Sequence, residues 1–257
     1  MSDSTQTIVL ITGVARGLGK ALLEAYLSRP NHTVIGTIRS GDPSTSPLLS
    51  LPTGPGSRVL LFTLESSNPS DYPALVTQIE SAGITHLDVV IPNSGISPPP
   101  APLATVRIES ITSAFDVNAL GTLRLFQGVR HLLEKAPRDT TKGSPKWVSM
   151  SSGAGSVASI EMFGIDRFAG YAISKIAVNW VTVAIHTSEK WLTAFAIHPG
   201  LVQTDMGNTG ARTLGLEEAP TTIDEAVSKA LATIDGATRE TTSGKFLSTM
   251  DGTEVPW

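Results

Sequence analysis

The 257-residue chain contains no cysteine. Disulfides, thiolate nucleophiles and thiolate metal sites are excluded together, and a reducing compartment fits. Charge is sparse too: 16% of residues are charged and the net charge is −4. No Lys/Arg cluster supplies the basic face that a phosphate-tracking nucleic-acid binder needs. No apolar run reaches the length that spans a bilayer. Residues 1–7 lack the basic and apolar regions of a signal peptide. The expectation is a cytosolic protein with neither a nucleic-acid nor a membrane partner. The histidines, His32, His86, His131, His186 and His198, are scattered without zinc-ligand spacing. No metal is expected, and all five are read as structural.

What is present is an ordinary soluble-enzyme composition, 40% hydrophobic, arranged as alternating strand and helix signals. Short apolar runs at 8–11, 33–38, 59–64, 87–91, 147–150 and 191–197 read as buried parallel strands. Residues 246–247 start a seventh. Helical spacing covers 20–28, 72–82, 108–135, 171–189 and 223–234. Residues 42–57 read as a loop with one helical turn at 48–51. No linker interrupts the alternation. The pattern predicts one α/β domain over 1–257, with a doubly wound parallel sheet and helices on both faces. In such sheets ligands bind at the carboxyl ends of the strands. Gly13, Asn93, Ser151, Ser152 and Pro199 each follow a predicted strand, so they should converge on one crevice.

The first strand runs into Thr12-Gly13-Val14-Ala15-Arg16-Gly17-Leu18-Gly19. The spacing is G-x-x-x-G-x-G. Glycines turn the chain tightly, let the backbone approach a pyrophosphate and set it at a helix N-terminus. The plain alternative is a glycine-rich strand-to-helix turn. The second strand ends in Arg39-Ser40 rather than an acid, and Arg16 lies inside the loop. A guanidinium near the ribose suits a 2′-phosphate through bidentate charge-assisted bonds. This favours NADPH over NADH; otherwise Arg39 is a solvated loop residue.

Tyr171 and Lys175 stand four apart in a predicted helix, on one face and about 6 Å apart along it. A free tyrosine, with a pKa of about 10, exchanges protons poorly near neutrality. Lowering it by about three units needs about 4 kcal/mol. A cation about 4 Å away at an effective dielectric of about 20 supplies that much. The surrounding residues 169–179 are small or apolar apart from these two, Ser174 and Asn179, so a lysine there calls for a reason. The alternative is an inert surface pair.

With these motifs in order, the chain resembles the short-chain dehydrogenase/reductase family over nearly its whole length. The resemblance rests on Thr12 to Gly19, Asn93-Ser94-Gly95, Asn118, Ser151-Ser152-Gly153, Tyr171 with Lys175, and Pro199-Gly200-Leu201-Val202-Gln203-Thr204. It implies a Rossmann-type sheet, a nicotinamide cofactor and a small carbonyl substrate. It implies that Tyr171 donates a proton to the carbonyl oxygen and that Lys175 lowers the tyrosine pKa and bonds the nicotinamide ribose. Ser152 would orient the substrate oxygen, and Asn118 would hold a water linking Lys175 to solvent. Thr12, Gly13, Arg16, Gly17, Leu18, Gly19, Arg39, Glu65, Asn93, Ser94, Gly95, Pro199, Gly200, Val202 and Thr204 would contact the cofactor. Glu65 stands where the family often has an aspartate near the adenine. Ser151 and Ser152 are hard to separate; Ser152 is chosen because Gly153-Ala154-Gly155 follows it. The gap from Ser152 to Tyr171 is longer than usual, and 160–168 is expected as a loop near the substrate.

Residues 149–156, 197–207 and the ending through Trp257 are also similar to fungal ketoreductases of the norsolorinic acid type, which reduce a side-chain ketone on an aromatic polyketide. The leading expectation is therefore an NADPH-dependent ketoreductase. The alternatives are a non-catalytic NADP(H)-sensing protein on the same fold and an NAD-dependent alcohol dehydrogenase. The apolar positions of 115–133 and 173–185 exceed one narrow stripe. They pair subunits in the family, which implies a homo-dimer or homo-tetramer; core packing is the alternative.

Overall fold

The structure is a computed structural model that describes residues 6–138 and 143–257. The leader reading at 1–5 lies outside the described residues. Strand β1 (Thr7–Thr12) leads through the glycine loop into α1 (Gly17–Leu27) and β2 (His32–Ile38). Then follow β3 (Arg58–Thr63), α2 (Asp71–Ser81), β4 (Val89–Ile91) and α3 (Ile108–Ala114). A π-helical segment, Phe115–Leu120, joins α3 to α4 (Gly121–Glu134). The second half runs β5 (Lys146–Met150), α5 (Ile160–Phe163), α6 (Ala169–Ser188), β6 (Thr193–His198), α7 (Asp205–Thr213), α8 (Ile223–Gly236) and β7 (Phe246–Ser248).

All seven strands pair in parallel in the order β3-β2-β1-β4-β5-β6-β7. Side chains alternate across the sheet. Val9, Ile11, Val148, Met150, Phe195 and Ile197 pack with α1 and α8 on one face. Ile8, Leu10, Val90, Trp147 and Ala194 pack with α2, α4 and α6 on the other. Both faces are covered, which is why the strands read as continuous apolar runs. Trp147, fully buried, meets Phe126 edge-on at 5.3 Å between ring centroids.

The structure departs from the expectations at four places. Residues 160–168 are not a loop: α5 ends at Gly164, whose φ is +60°, and a 3-10 turn, Asp166–Phe168, follows. Ile165 buries against Ala154 and Ala172 and holds this excursion down. Residues 42–57 hold two 3-10 turns, Pro43–Thr45 and Pro47–Ser50, each begun by a proline after an Asp or Ser cap. The helix α7 was not foreseen, because Gly207 and Gly210 lower its propensity; the Thr204 hydroxyl caps it, accepting from Gly207 N at 3.0 Å. Finally, one helical stretch, Asp166–Ser188, is long and apolar enough by length and composition to cross a membrane, with a mean hydropathy of 1.4. Most of its apolar window, 61%, is buried inside the protein because α6 packs on the sheet.

Candidate active site

At the carboxyl ends of the strands, a clamp of hydrogen bonds joins β1 to β4. The Thr12 hydroxyl accepts from Asn93 N at 3.1 Å and Ser94 N at 3.0 Å. Asn93 Nδ2 donates back to Thr12 O at 3.0 Å and Gly13 O at 3.3 Å. Gly13 sits at φ +74° and Gly17 at φ +59°, a region costly for residues with a Cβ. A Cβ on Gly19 would lie 2.3 Å from Gly13 O, so helix and loop touch backbone to backbone there. The first turn of α1 holds no acid, and no side chain caps it. Its N–H groups and positive dipole end are free for an anion. The glycine loop therefore fits a pyrophosphate.

The remaining cofactor-loop residues line the same edge. Leu18 packs against the core. The Arg16 side chain forms an ion pair with Asp205, joining the glycine loop to the first turn of α7. Arg39, after β2, is 69% exposed and lies 3.9 Å from the Glu65 carboxylate after β3. Glu65 also accepts from Ser67 N and Oγ. Gly200 adopts φ +87°, where a Cβ would press on Met250 and Thr221. Val202 bridges to Thr221, which fixes the turn carrying Pro199.

A second cluster is built by one face of α6. Tyr171, Lys175, Asn179 and Thr182 recur every three or four residues, so they face the end of β5 together. Thr182 Oγ1 donates to Ser149 Oγ at 2.6 Å. Ser151 Oγ donates to Asn179 Oδ1 at 2.6 Å, so Ser151 is buried and engaged. Lys175 Nζ donates to Met150 O at 2.6 Å. Ser152 lies half-buried, its Oγ accepting from Ala154 N at 3.2 Å and close enough to the Tyr171 phenol to lower its pKa. The geometry thus separates the two serines, with Ser152 on the tyrosine.

Asn118 sits in the π-helical segment, a distortion frequent at functional sites. Its amide makes three hydrogen bonds. Oδ1 accepts from Ile96 N at 2.8 Å, and Nδ2 donates to Ile96 O at 2.9 Å and Ser174 Oγ at 2.8 Å. Ser174 Oγ in turn donates to Tyr171 O at 2.6 Å. A Cβ on Gly95 would lie 3.1 Å from Asn118 Oδ1. The Asn118 side chain thus ties the chain after β4 to the tyrosine's own helix turn.

The electrostatics differ from the sequence expectation in one respect. Burial pushes the Tyr171 phenol up, partly offset by the nearby Ser152 hydroxyl. Lys175 does not pull it down here. Its own burial lowers it to about 8, its amine is turned onto Met150 O, and it lies 5.5 Å from the tyrosine ring centroid.

One further polar residue lies at these strand ends. His198 ends β6 and stands beside Gly153, on the α6 side of the sheet. Burial lowers its pKa to about 4, against an upward pull from Asp251. Its place at a strand end, just before Pro199-Gly200, was the available signal. Among the described residues no group of three His, Asp or Glu side chains could hold a metal ion.

Comparison with known proteins places this geometry. Residues 7–214 match the family described as short chain dehydrogenase. A short-chain dehydrogenase of Neurospora crassa is 40% identical, the alignment covering 100% of each chain. The norsolorinic acid ketoreductase of Aspergillus parasiticus is 37% identical over 98% of this chain and 92% of its own. Among solved structures, a Burkholderia multivorans protein of the same class with bound NADP superposes with a TM-score of 0.78 at 26% identity, covering 98% of this chain and 100% of its own.

The depressed lysine makes stability pH-dependent. Lys175 titrates near 8 when folded and near 10.5 when unfolded. Between these values the unfolded chain binds more protons, so stability rises with pH. Below pH 8 both states carry the proton and the burial cost stays. Unfolding of the cofactor-free wild type and Lys175→Met at pH 7 and pH 10.5 should show the difference moving toward the wild type by more than about 1 kcal/mol. A difference independent of pH contradicts this account of Lys175.

Proposed function

The chain belongs to the short-chain dehydrogenase family, and we propose that it is an NADPH-dependent ketoreductase. The observation that carries this reading is the joining of Tyr171, Ser152 and Lys175 at the strand ends, beside a glycine loop and an uncapped helix N-terminus. The cofactor, when bound, supplies the hydride. Thr12, Gly13, Gly17 and Gly19 shape its phosphate cradle, with Asn93, Ser94 and Gly95 beneath. Pro199, Gly200, Val202 and Thr204 close the other side.

In this reading Ser152 Oγ and the Tyr171 phenol converge on the substrate carbonyl oxygen. Ser152 orients that oxygen, and Tyr171 donates a proton to it. A phenol held high by burial keeps its proton until a carbonyl oxygen becomes basic enough to take it. Lys175, poised near 8, exchanges protons readily at neutral pH and serves the relay that recharges Tyr171. Asn118 holds the helix turn beneath Tyr171 in place. A non-catalytic sensor would need no such joined set.

Arg39 supports the choice of NADPH, being an exposed guanidinium beside Glu65 at the ends of β2 and β3. The substrate class we favour is a ketone on an aromatic polyketide of fungal secondary metabolism, acted on in the cytosol. The Aspergillus relative supports it, as do the exposed apolar side chains of Met162 and Phe163 on α5 and Leu214 after α7. We further propose a homo-dimer. Most apolar positions of α4 and α6 are core, but Ile173 and Trp180 remain exposed on α6, Trp180 by 72%, as does Ile108 on α3.

Tyr171→Phe should lower turnover by about 10²- to 10⁴-fold while NADPH binding survives; substantial residual reduction would sink the tyrosine assignment. Arg39→Asp should shift the NADPH-to-NADH preference at least about tenfold toward NADH. An unchanged ratio refutes the role of Arg39. Light scattering should find a dimer that Trp180→Glu converts to monomer; a monomeric wild type would remove the assembly proposal.

A further inference from the structure

His198 belongs to no part of the relay described above. Along β6, Phe195 and Ile197 pack toward α1 and α8, whereas Ala194 packs toward α4 and α6. By the period of two, His198 points to the face that carries Tyr171 and Lys175. A Cβ built on Gly153, the residue after Ser152, would lie 3.3 Å from His198 Nε2 and 3.2 Å from Phe163 Cε2. The imidazole and the Phe163 ring therefore both lie against the serine turn at Gly153. The ring is half-buried. Its Nδ1 is buried and has no hydrogen-bond partner, so Nε2 is the edge turned toward Gly153.

Burial keeps the ring neutral at physiological pH, and a neutral imidazole has one N–H and one lone pair. A proton on Nδ1 would strand a buried donor, the rarer and costlier defect. A proton on Nε2 strands only a lone pair and presents an N–H beside the serine turn. Ser152 and Tyr171 are occupied with the reacting carbonyl, so this donor is free for a different acceptor.

Resting on the ketoreductase reading, we propose that His198 is a specificity-determining residue. Its Nε2–H donates to a second oxygen on the substrate, a hydroxyl or carbonyl close to the ketone being reduced. The preferred substrate is then a 1,3-oxygenated aryl ketone rather than a simple one, its ring lying against Phe163.

The test compares NADPH-driven reduction of 2-acetyl-1-naphthol and 2-acetylnaphthalene by the wild type, His198→Leu and His198→Gln. The ratio of kcat/KM for the two ketones should fall about five- to tenfold in His198→Leu, mainly through KM. It should be partly restored in His198→Gln, whose amide reaches the same place. A ratio unchanged in His198→Leu overturns the proposal while leaving the ketoreductase reading intact. Wild-type protein that binds NADPH but reduces neither ketone overturns both. Histidine ¹⁵N spectra of the wild type at pH 7 check the tautomer without any variant. Nε2–H is the expected form, and Nδ1–H would overturn the assignment.

Discussion

The clamp between Thr12 and Asn93 is the contact on which the rest of the crevice depends. It joins the ends of β1 and β4, the central neighbours of the sheet, through four hydrogen bonds. Gly13 turns in the left-handed region and Gly19 passes within touching distance of its carbonyl. Together with the core packing of Leu18, Leu22 and Leu23, the clamp sets where α1 begins. The Arg16–Asp205 pair then adds a lighter tie across the opening. Exposed as it is, it contributes little stability.

A second alignment, that of α6 on β5, positions Tyr171. Thr182, Asn179 and Lys175 meet Ser149, Ser151 and Met150 O in turn, so the helix can neither slide nor rotate without breaking buried hydrogen bonds. Tyr171 is the last member of that stripe, and its place opposite Ser152 follows from the other three. The apolar burial that fixes this register also raises the tyrosine and lowers the lysine. Neither group is therefore set for proton transfer by the other alone. Lys175 is turned onto Met150 O.

Much of this was readable from residue order. The strand runs were continuous because both faces of the sheet are covered, and the glycine spacing marked where α1 meets the loop after β1 backbone to backbone. The Tyr171–Lys175 spacing was legible because helical periodicity is local. The misses have physical causes. α7 begins at a Thr204 cap and contains two glycines, so pattern could not find it. The π-helical turn at Asn118 leaves the apolar period nearly intact and stays hidden in the long stretch 108–135. The two serines separate only once Asn179, far along the chain, is seen to hold Ser151. A single histidine such as His198 carries no spacing signal, and its neighbour Gly153, after the adjoining strand, is visible only in the fold.

Binding of the cofactor itself tests the central claim most directly. The four tryptophans allow energy transfer to a reduced nicotinamide to be followed in separate NADPH and NADH titrations without any substrate. The account predicts saturable transfer with both forms, reached at a concentration at least about tenfold lower for NADPH, as a guanidinium on a 2′-phosphate requires. Absence of binding by either cofactor, confirmed by calorimetry, would contradict it at its first step.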